Sequence, residues 1–275
     1  MTLPSAARRA GTSLGLEINL RGEHDPAHRQ HMAHLAGRLG FASVWLPAVS
    51  GPPPMEEVRA LIAAARPAQL GVAIDVTATE FRGSWLRWID VTRDDVGTGP
   101  LLLDLPPAAS ADLKAAIVEA VGGPAAYQRR VLTRWAAVGH PVAPDLDAAG
   151  QVVVGVDRSV VAAGVAETRQ ARAAAGKGPA EFTIVVDLTV AIGRTMREAE
   201  VRAERDPLLA GERHPKDAGL FGTLEHAQEQ VLVYARAGAD RLRATLADEH
   251  DVADLLAQFR SLAVGPLPLL LSRTD

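Results

Sequence analysis

Cysteine is absent from the 275-residue chain. Without a thiol, the protein can form no disulfide, no thiolate nucleophile, no iron–sulfur cluster and no cysteine-ligated zinc site. The lack of cysteine also fits a reducing compartment, so we expect a cytoplasmic protein.

Long apolar runs and runs of like charge are missing as well. No apolar stretch reaches the roughly 18 residues of a membrane-spanning helix, and the first residues, MTLPSAARRAGTS, lack the apolar segment of a signal peptide. A net charge of −4 makes nucleic acid or an anionic membrane surface an unfavourable partner. Apolar residues make up 48% of the chain, which is enough for a sizeable core.

Several motifs that would name a chemistry are also absent. No G-x-G-x-x-G follows the first predicted strand, and the sequence has no G-x-S-x-G, H-E-x-x-H or P-loop lysine motif. The stretch AAAGKGPAE (173–181) contains G-K-G, but it follows a predicted helix and precedes a strand. Because a P-loop needs the opposite order, this glycine pair predicts a helix end and a turn.

Strands and helices alternate along the whole chain. Apolar runs predict eight strands, at 13–20, 42–47, 69–79, 100–106, 140–146, 151–157, 182–192 and 241–246. Caps and helical spacing predict helices at 25–40, 56–65, 84–91, 110–121, 125–138, 159–175, 195–205 and 223–237 and one after Asp251, with a loop at 206–221. Such alternation indicates a mainly parallel sheet, either closed or doubly wound. Eight units and the missing dinucleotide motif favour an α/β fold of the (β/α)8 TIM-barrel type, as one domain over residues 1–275.

Three segments resemble the bacterial luciferase-like monooxygenases, a family of flavin-dependent oxygenases and deazaflavin (F420)-dependent oxidoreductases. They are HLAGRLGFASVWLP (34–47), FTIVVDLTVAIGRTMREAEVRAERDP (182–207) and GTLEHAQEQVLVYARAGADRL (222–242), and WIDVTRDDVGTGPLLLDLP (88–106) is a weaker match. The resemblance implies a barrel, a small organic substrate, and FMN or F420 as cofactor.

The sequence departs from the family where the cofactor would bind. WLPAVSGPPP (45–54) lacks the acid or histidine that usually follows strand two, and prolines replace glycines around strand four. The segment between strands four and six is compressed, and HPVAPDLDAAG (140–150) has no clear phosphate turn. The resemblance therefore implies either a luciferase-like oxidoreductase or monooxygenase, or a catalytically degenerate subunit that stabilises an active paralogue. A homo- or heterodimer is expected in both cases, and a hydrolase or isomerase on the same scaffold stays open.

Residues at the carboxyl ends of the predicted strands are the candidates for a site, because barrel enzymes bind their substrates there. Their positions nominate a set for the cofactor, and the set is Asn19, Thr77, Asp157, Arg158 and Arg194, with His24 and Thr79 beside it. Two of these residues, Arg158 and Arg194, stand just before a predicted helix that starts at Ser159 or Thr195. Each guanidinium could bind a phosphate together with the backbone amides of that helix start. The alternative for each arginine is an ordinary helix cap, and no catalytic residue is assigned.

Three further patterns have a structural and a functional interpretation. Histidines 28, 31 and 34 fan out around one helix, with His24 in the loop before it, which predicts a solvated face rather than a metal site. Trp85 and Trp88 are expected to pack in the core or at an interface, with stacking on a flavin ring as the alternative. Arg243 is expected inside the barrel, in a structural ion pair with Asp75, Asp104 or Asp187 rather than as a substrate clamp.

Overall fold

Parallel pairing organises the molecule, since every strand pair in the sheet runs in the same direction. The computed structural model describes residues 14–21, 25–47, 51–74, 79–96, 101–105, 111–136, 144–155, 157–206, 215–247 and 251–264. Its strands are β1 (Gly15–Asn19), β2 (Ser43–Leu46), β3 (Gln69–Ala73), β4 (Leu101–Leu105), β5 (Val131–Ala136), β6 (Gly150–Val154), β7 (Thr183–Ile192), β8 (Leu220–Gly222) and β9 (Arg241–Leu246).

Eight of these strands close into a ring. The order runs from β1 to β6 in sequence, then to β7 and β9, and β9 pairs with β1. The short β8 pairs only with the end of β7, outside the ring. The predicted (β/α)8 barrel is therefore confirmed.

Helices connect the strands around the outside of the ring. They are α1 (Pro26–Arg38), α2 (Met55–Ala65), α3 (Thr79–Val96), α4 (Ala111–Ala120), α5 (Pro124–Arg130), α6 (Arg158–Ala174), α7 (Met196–Arg205), α8 (Pro215–Ala218), α9 (Leu224–Ala237) and α10 (Val252–Val264). Within the part of the chain that the structure describes, no helix is both long enough and apolar enough to cross a membrane.

The helix ends follow from local capping. Asp25 accepts a hydrogen bond from the His28 amide at 2.8 Å, and Thr195 accepts one from the Glu198 amide at 3.2 Å, as their positions predicted. Gly238 ends α9 in the left-handed conformation (φ 109°), which glycine adopts without a steric penalty. Thr223 stands at the N-cap of α9 but makes no side-chain cap bond; its hydroxyl lies 2.8 Å from Nδ1 of His226 instead.

The prediction for the fifth strand is wrong. The strand β5 occupies residues predicted as helix 125–138, since α5 already ends at Arg130. Of the predicted strand 140–146, residues 140–143 lie outside the described residues. Residues 144–146 are not a strand: they lead into a turn, and Asp145 accepts hydrogen bonds there from Lys114 and Tyr127 at 2.8 and 2.9 Å. Pairing with β4 selects the extended form for Val131–Ala136, whose β-branched residues and alternating Leu132 and Arg134 suit a strand.

Two other boundaries also differ from the prediction. The third strand ends at Ala73 and α3 begins at Thr79, so the predicted strand was too long and the predicted helix 84–91 too short. Within the predicted loop 206–221, α8 and most of β8 are ordered elements. Both α8 and β8 are too short to show a recognisable hydrophobic period in the sequence.

Alternation along each strand divides the core into two layers. Residues such as Leu16, Ile18 and Val44 pack outward against the helices, and Trp85 and Trp88 join them there with ring centroids 5.5 Å apart. The core interpretation of this tryptophan pair is thus confirmed. A second, smaller apolar layer fills the inside of the barrel, and its members are Trp45, Leu102, Leu132, Val152 and Val185.

Trp45 leaves no room for a side chain on the neighbouring strand. It pairs in register with Gly71, and a Cβ atom at Gly71 would lie 2.3 Å from the indole ring. The ring cannot move aside, because its Nε1 donates to Ser43 at 2.7 Å and the Arg243 guanidinium covers its face at 3.6 Å.

We predict that Gly71→Ala lowers the free energy of unfolding by about 1–3 kcal/mol, because the added methyl overpacks the interior. Gly83→Ala is the matched control, since nothing lies within 4 Å of a Cβ atom at this exposed position on α3. It should stabilise the protein by about 0.5–1 kcal/mol through helix propensity. Urea unfolding of both variants measures the difference, and equal stabilities would contradict the prediction.

Candidate functional site

Charged side chains, rather than apolar ones, occupy the barrel interior next to the Trp45 layer. In β1 and β9 the outward positions are apolar, so the alternate residues Glu17, Asn19, Arg243 and Thr245 point inward. Asp104 of β4 and Asp187 of β7 point to the same space. Both aspartates and Glu17 are buried, and Arg243 is fully buried.

Arg243 is the centre of this polar layer. Its Nε donates to Glu17 Oε2 at 3.0 Å, and its Nη1 donates to Asp104 Oδ2 at 2.6 Å. The guanidinium carbon also lies over the Trp45 ring, 3.6 Å from the centroid, where a cation–π attraction adds to the ion pairs. The expected structural ion pair is confirmed, with Asp104 as one partner and Glu17 as a second that sequence reasoning missed.

Arg134 of β5 connects the other two carboxylates. Its guanidinium donates to Asp104 Oδ2 at 2.6 Å and to Asp187 Oδ2 at 2.9 Å, while 28% of the side chain stays exposed. Burial would lower the pKa of Arg134, but the charges of Asp104 and Asp187 outweigh it, so the pKa is raised above its ordinary value. Arg134 therefore remains a cation that is still accessible from outside the network.

Asn19 joins this cluster from the carboxyl end of β1. Its amide nitrogen donates to Asp187 Oδ1 at 3.0 Å and to the Thr245 hydroxyl at 2.9 Å. Among the described residues nominated for the cofactor, Asn19 is thus the one that joins the interior network. Sequence reasoning missed Arg134, because its strand was predicted as helix; the two-residue spacing of Leu132 and Arg134 was the available signal.

The network balances its own charges. Three arginines face three carboxylates, since Arg241 also donates to Glu17 Oε1 at 3.0 Å. Such pairing offsets the large cost of taking isolated charges out of water. The arrangement holds five strands together and leaves two partly exposed cations, Arg134 and Arg241, at its edges.

At the rim, Asp157 and Arg158 bind the protein's own backbone. Asp157 caps α6 by accepting from the amides of Ser159 and Val160 at 2.7 and 3.4 Å, and hydrogen bonds from the Ser159 hydroxyl and amide lower the pKa of Asp157. Arg158 Nη2 donates to the Gly219 carbonyl at 3.0 Å, next to Tyr234, whose pKa burial raises to about 12. An anion at this helix start would have to compete with the Asp157 carboxylate.

Arg194 has a different environment. Its side chain is exposed just beyond the end of β7, and its backbone amide donates to Glu198 Oε2 at 2.9 Å. The hydrogen bond from Arg202, together with that amide, lowers the pKa of Glu198. Arg194 is therefore held in place through its backbone while the guanidinium faces solvent.

The remaining candidate residues fall largely outside what the structure describes. Thr77 and His24 lie outside the described residues, as does Asp75, and the side chain of Thr79 is not described either. On α1, His28 is half-buried whereas His31 and His34 are exposed. Among the described residues, no three histidine or acidic side chains group closely enough to hold a metal ion.

Fold and interior together define the class of this protein as a closed eight-stranded (β/α)8 barrel with a charged interior layer. No protein-family model and no curated protein matches the sequence. Similar solved structures include the coenzyme F420-dependent tetrahydromethanopterin reductase from Methanopyrus kandleri, with 13% identity, coverage of 92% of this chain and 99% of that chain, and a TM-score of 0.67.

Two monooxygenases are similar to the same extent. One, from Streptomyces bottropensis, has 17% identity, covers 91% of this chain and 99% of its own, and has a TM-score of 0.64. The other is the oxygenating constituent of 3,6-diketocamphane monooxygenase from Pseudomonas putida in complex with FMN, with 12% identity, 91% and 98% coverage, and a TM-score of 0.61. These likenesses confirm the expected luciferase-like resemblance at the level of the fold.

Arg243→Met should lower the free energy of unfolding by about 3–5 kcal/mol, because Glu17 and Asp104 lose a fully buried partner. Arg241→Met, which removes a 32% exposed partner of the same Glu17, should cost about 1 kcal/mol or less. Chemical unfolding of the two variants under identical conditions measures both values. Similar losses would show that the central guanidinium is not the anchor of the network.

Glu198→Gln should reduce stability only where the carboxylate is charged. Because the folded-state pKa of Glu198 is lowered, its contribution is present above the ordinary value of 4.5 and disappears as the pH falls through the folded-state value. We expect a loss of roughly 0.5 kcal/mol at about pH 7 and none at about pH 3, the small size reflecting solvent screening. Urea unfolding at both pH values checks this, with Glu200→Gln on the same helix as the control. A pH-independent loss would contradict it.

Proposed function

We propose that this protein is a flavin- or F420-dependent oxidoreductase of the luciferase-like type, with its site at the carboxyl ends of the barrel strands. The observation that carries the proposal is the position of Arg134, a partly exposed guanidinium held over Asp104 and Asp187 inside the barrel. The similar solved structures support the choice of cofactor, because they include an F420-dependent reductase and a monooxygenase constituent in complex with FMN. The lack of cysteine adds a cytoplasmic location to the proposal.

The described residues fit the polar edge of such a cofactor. A guanidinium has five N–H donors, so Arg134 retains donors beyond the two that bind Asp104 and Asp187. Among the described residues, Asp104 Oδ1 is a buried acceptor without a hydrogen-bond partner, so the protein alone does not satisfy this layer. Asn19 fixes Asp187, and the exposed Arg194 is available to a phosphate.

The cofactor would supply the reducing equivalents, and the protein would bind and orient it. Arg134 would place positive charge beside the electron-rich edge of the ring, where fixed charges tune a cofactor's electronics. The ion pairs to Asp104 and Asp187 would keep that charge in place during turnover. A small organic substrate would then react in the space above this layer.

A second candidate is a catalytically degenerate subunit that stabilises an active paralogue in a dimer. It is favoured by the way the predicted phosphate site is satisfied internally, since Asp157 occupies the α6 amides and Arg158 binds the Gly219 carbonyl. The proline substitutions around strand four point the same way. In this case the barrel would provide a stable surface and no chemistry.

Titration of the purified full chain with FMN and with F420, followed by cofactor fluorescence, tests the proposal. We expect one of the two to bind with one molecule per chain. Arg134→Lys keeps the charge that faces Asp104 and Asp187 but loses the planar donor set, so it should weaken binding by about tenfold. Arg87→Lys, at an exposed position on α3, is the control and should bind as the unmodified chain does.

One outcome would contradict the enzyme and another the proposed position of its site. If neither cofactor binds and a homologous chain co-purifies, the degenerate-subunit function replaces it. If a cofactor binds equally well to the unmodified chain and to Arg134→Lys, the interior layer is not the site.

A further inference from the structure

A cavity opens at the amino ends of the barrel strands, opposite the end that carries the proposed cofactor site. It has a volume of about 810 Å³, and its wall includes Gln69, Thr183 and Arg241, the first residues of β3, β7 and β9. It therefore lies at the amino ends of the strands, away from Arg134 and the site proposed above. Volumes of this size are typical of small-molecule sites.

The inner wall of the cavity is apolar. Leu102, Leu132 and Val185 line it, and they belong to the buried layer that also contains Trp45. Gly150 contributes no side chain at this level, and a Cβ atom there would lie 2.1 Å from the Thr183 carbonyl oxygen. The backbones of β6 and β7 thus approach too closely for a larger residue to fill the space.

Cations dominate the polar part of the lining. Four cationic side chains line the cavity, Arg129, Arg130, Lys177 and Arg241, together with a single carboxylate, Glu181. Arg241 is already paired with Glu17, and Lys177 donates to the Leu146 carbonyl. The chain as a whole has a net charge of −4, so this excess of positive charge is local. Burial, and then the nearby charges of Arg129 and Arg93, lower the pKa of Arg130.

We propose that this cavity binds an amphipathic organic anion, with an acidic head at Arg129, Arg130 and Lys177 and an apolar body against Leu102, Leu132 and Val185. Like charges that are crowded beside low-dielectric walls attract an anion and strengthen its hydrogen bonds. The apolar wall favours a ligand with a hydrocarbon body over an inorganic ion, because burial of that body contributes in proportion to its area. A medium-chain carboxylate meets both requirements. The site is independent of the proposed oxidoreductase function, since it lies at the other end of the barrel.

Calorimetric titration of the full chain with decanoate tests this site, with decanol and inorganic phosphate as probes that each lack one half of the ligand. Decanoate should bind with one molecule per chain, at least about tenfold more tightly than either of the other two probes. Arg129→Glu, at an exposed lining position, should weaken decanoate binding by about tenfold or more. Arg87→Glu, equally exposed but far along the chain on α3, should leave it unchanged.

A variant that fills the cavity tests the contribution of its shape separately from the contribution of its cations. Ala180 lines the cavity and is exposed, so Ala180→Trp should block decanoate without altering the cations. The proposal is overturned if decanoate fails to bind, if decanol or phosphate binds as tightly, or if Arg87→Glu weakens binding as much as Arg129→Glu. Loss of FMN or F420 binding alone would leave it standing.

Discussion

A guanidinium with no solvent exposure is the constraint on which the barrel interior depends. Because the Arg243 guanidinium is taken out of water, the structure has to supply carboxylates beside it. Glu17 and Asp104 do so from β1 and β4, and Trp45 closes the remaining face. This requirement also fixes Gly71, because the ring that covers the cation occupies the volume of its missing side chain.

The same requirement divides the barrel into regions of different chemistry. Around Arg243, each carboxylate recruits another cation, so that Arg134 and Arg241 extend the network in opposite directions along the barrel. One extension reaches the carboxyl ends of the strands through Asp187 and Asn19. The other reaches the amino ends, where Arg241 lines a cavity whose inner wall is apolar. A single buried ion cluster thus extends from the carboxyl ends of the strands to their amino ends, where the two proposed sites lie.

Sequence reasoning recovers the elements whose signals are local. The caps at Asp25 and Thr195, the glycine end of α9 and the buried strands β2 and β7 all follow from nearest neighbours in the chain. It fails at β5, where six residues next to a helix become a strand because β4 and β6 need a partner between them. The inward side of Arg243 was predictable by alternation, but its pairing with Glu17, 226 residues away in sequence, was a property of the closed ring. Arg134 could not be placed in the interior from the sequence, because its strand β5 was predicted as a helix.

The contrast between Arg134 and Arg158 shows why position in a barrel is weak information about function. Arg134 lies within β5 and Arg158 just beyond the end of β6, and either guanidinium suits an anionic ligand by residue type. Arg158 is turned toward the carbonyl of Gly219, whereas Arg134 is held by two carboxylates and still reaches solvent. A cation can therefore bind a ligand only with the N–H donors that the protein's own acceptors leave unoccupied. By that measure Arg134, rather than the helix start at Asp157, is the better candidate for binding a ligand at this end of the barrel.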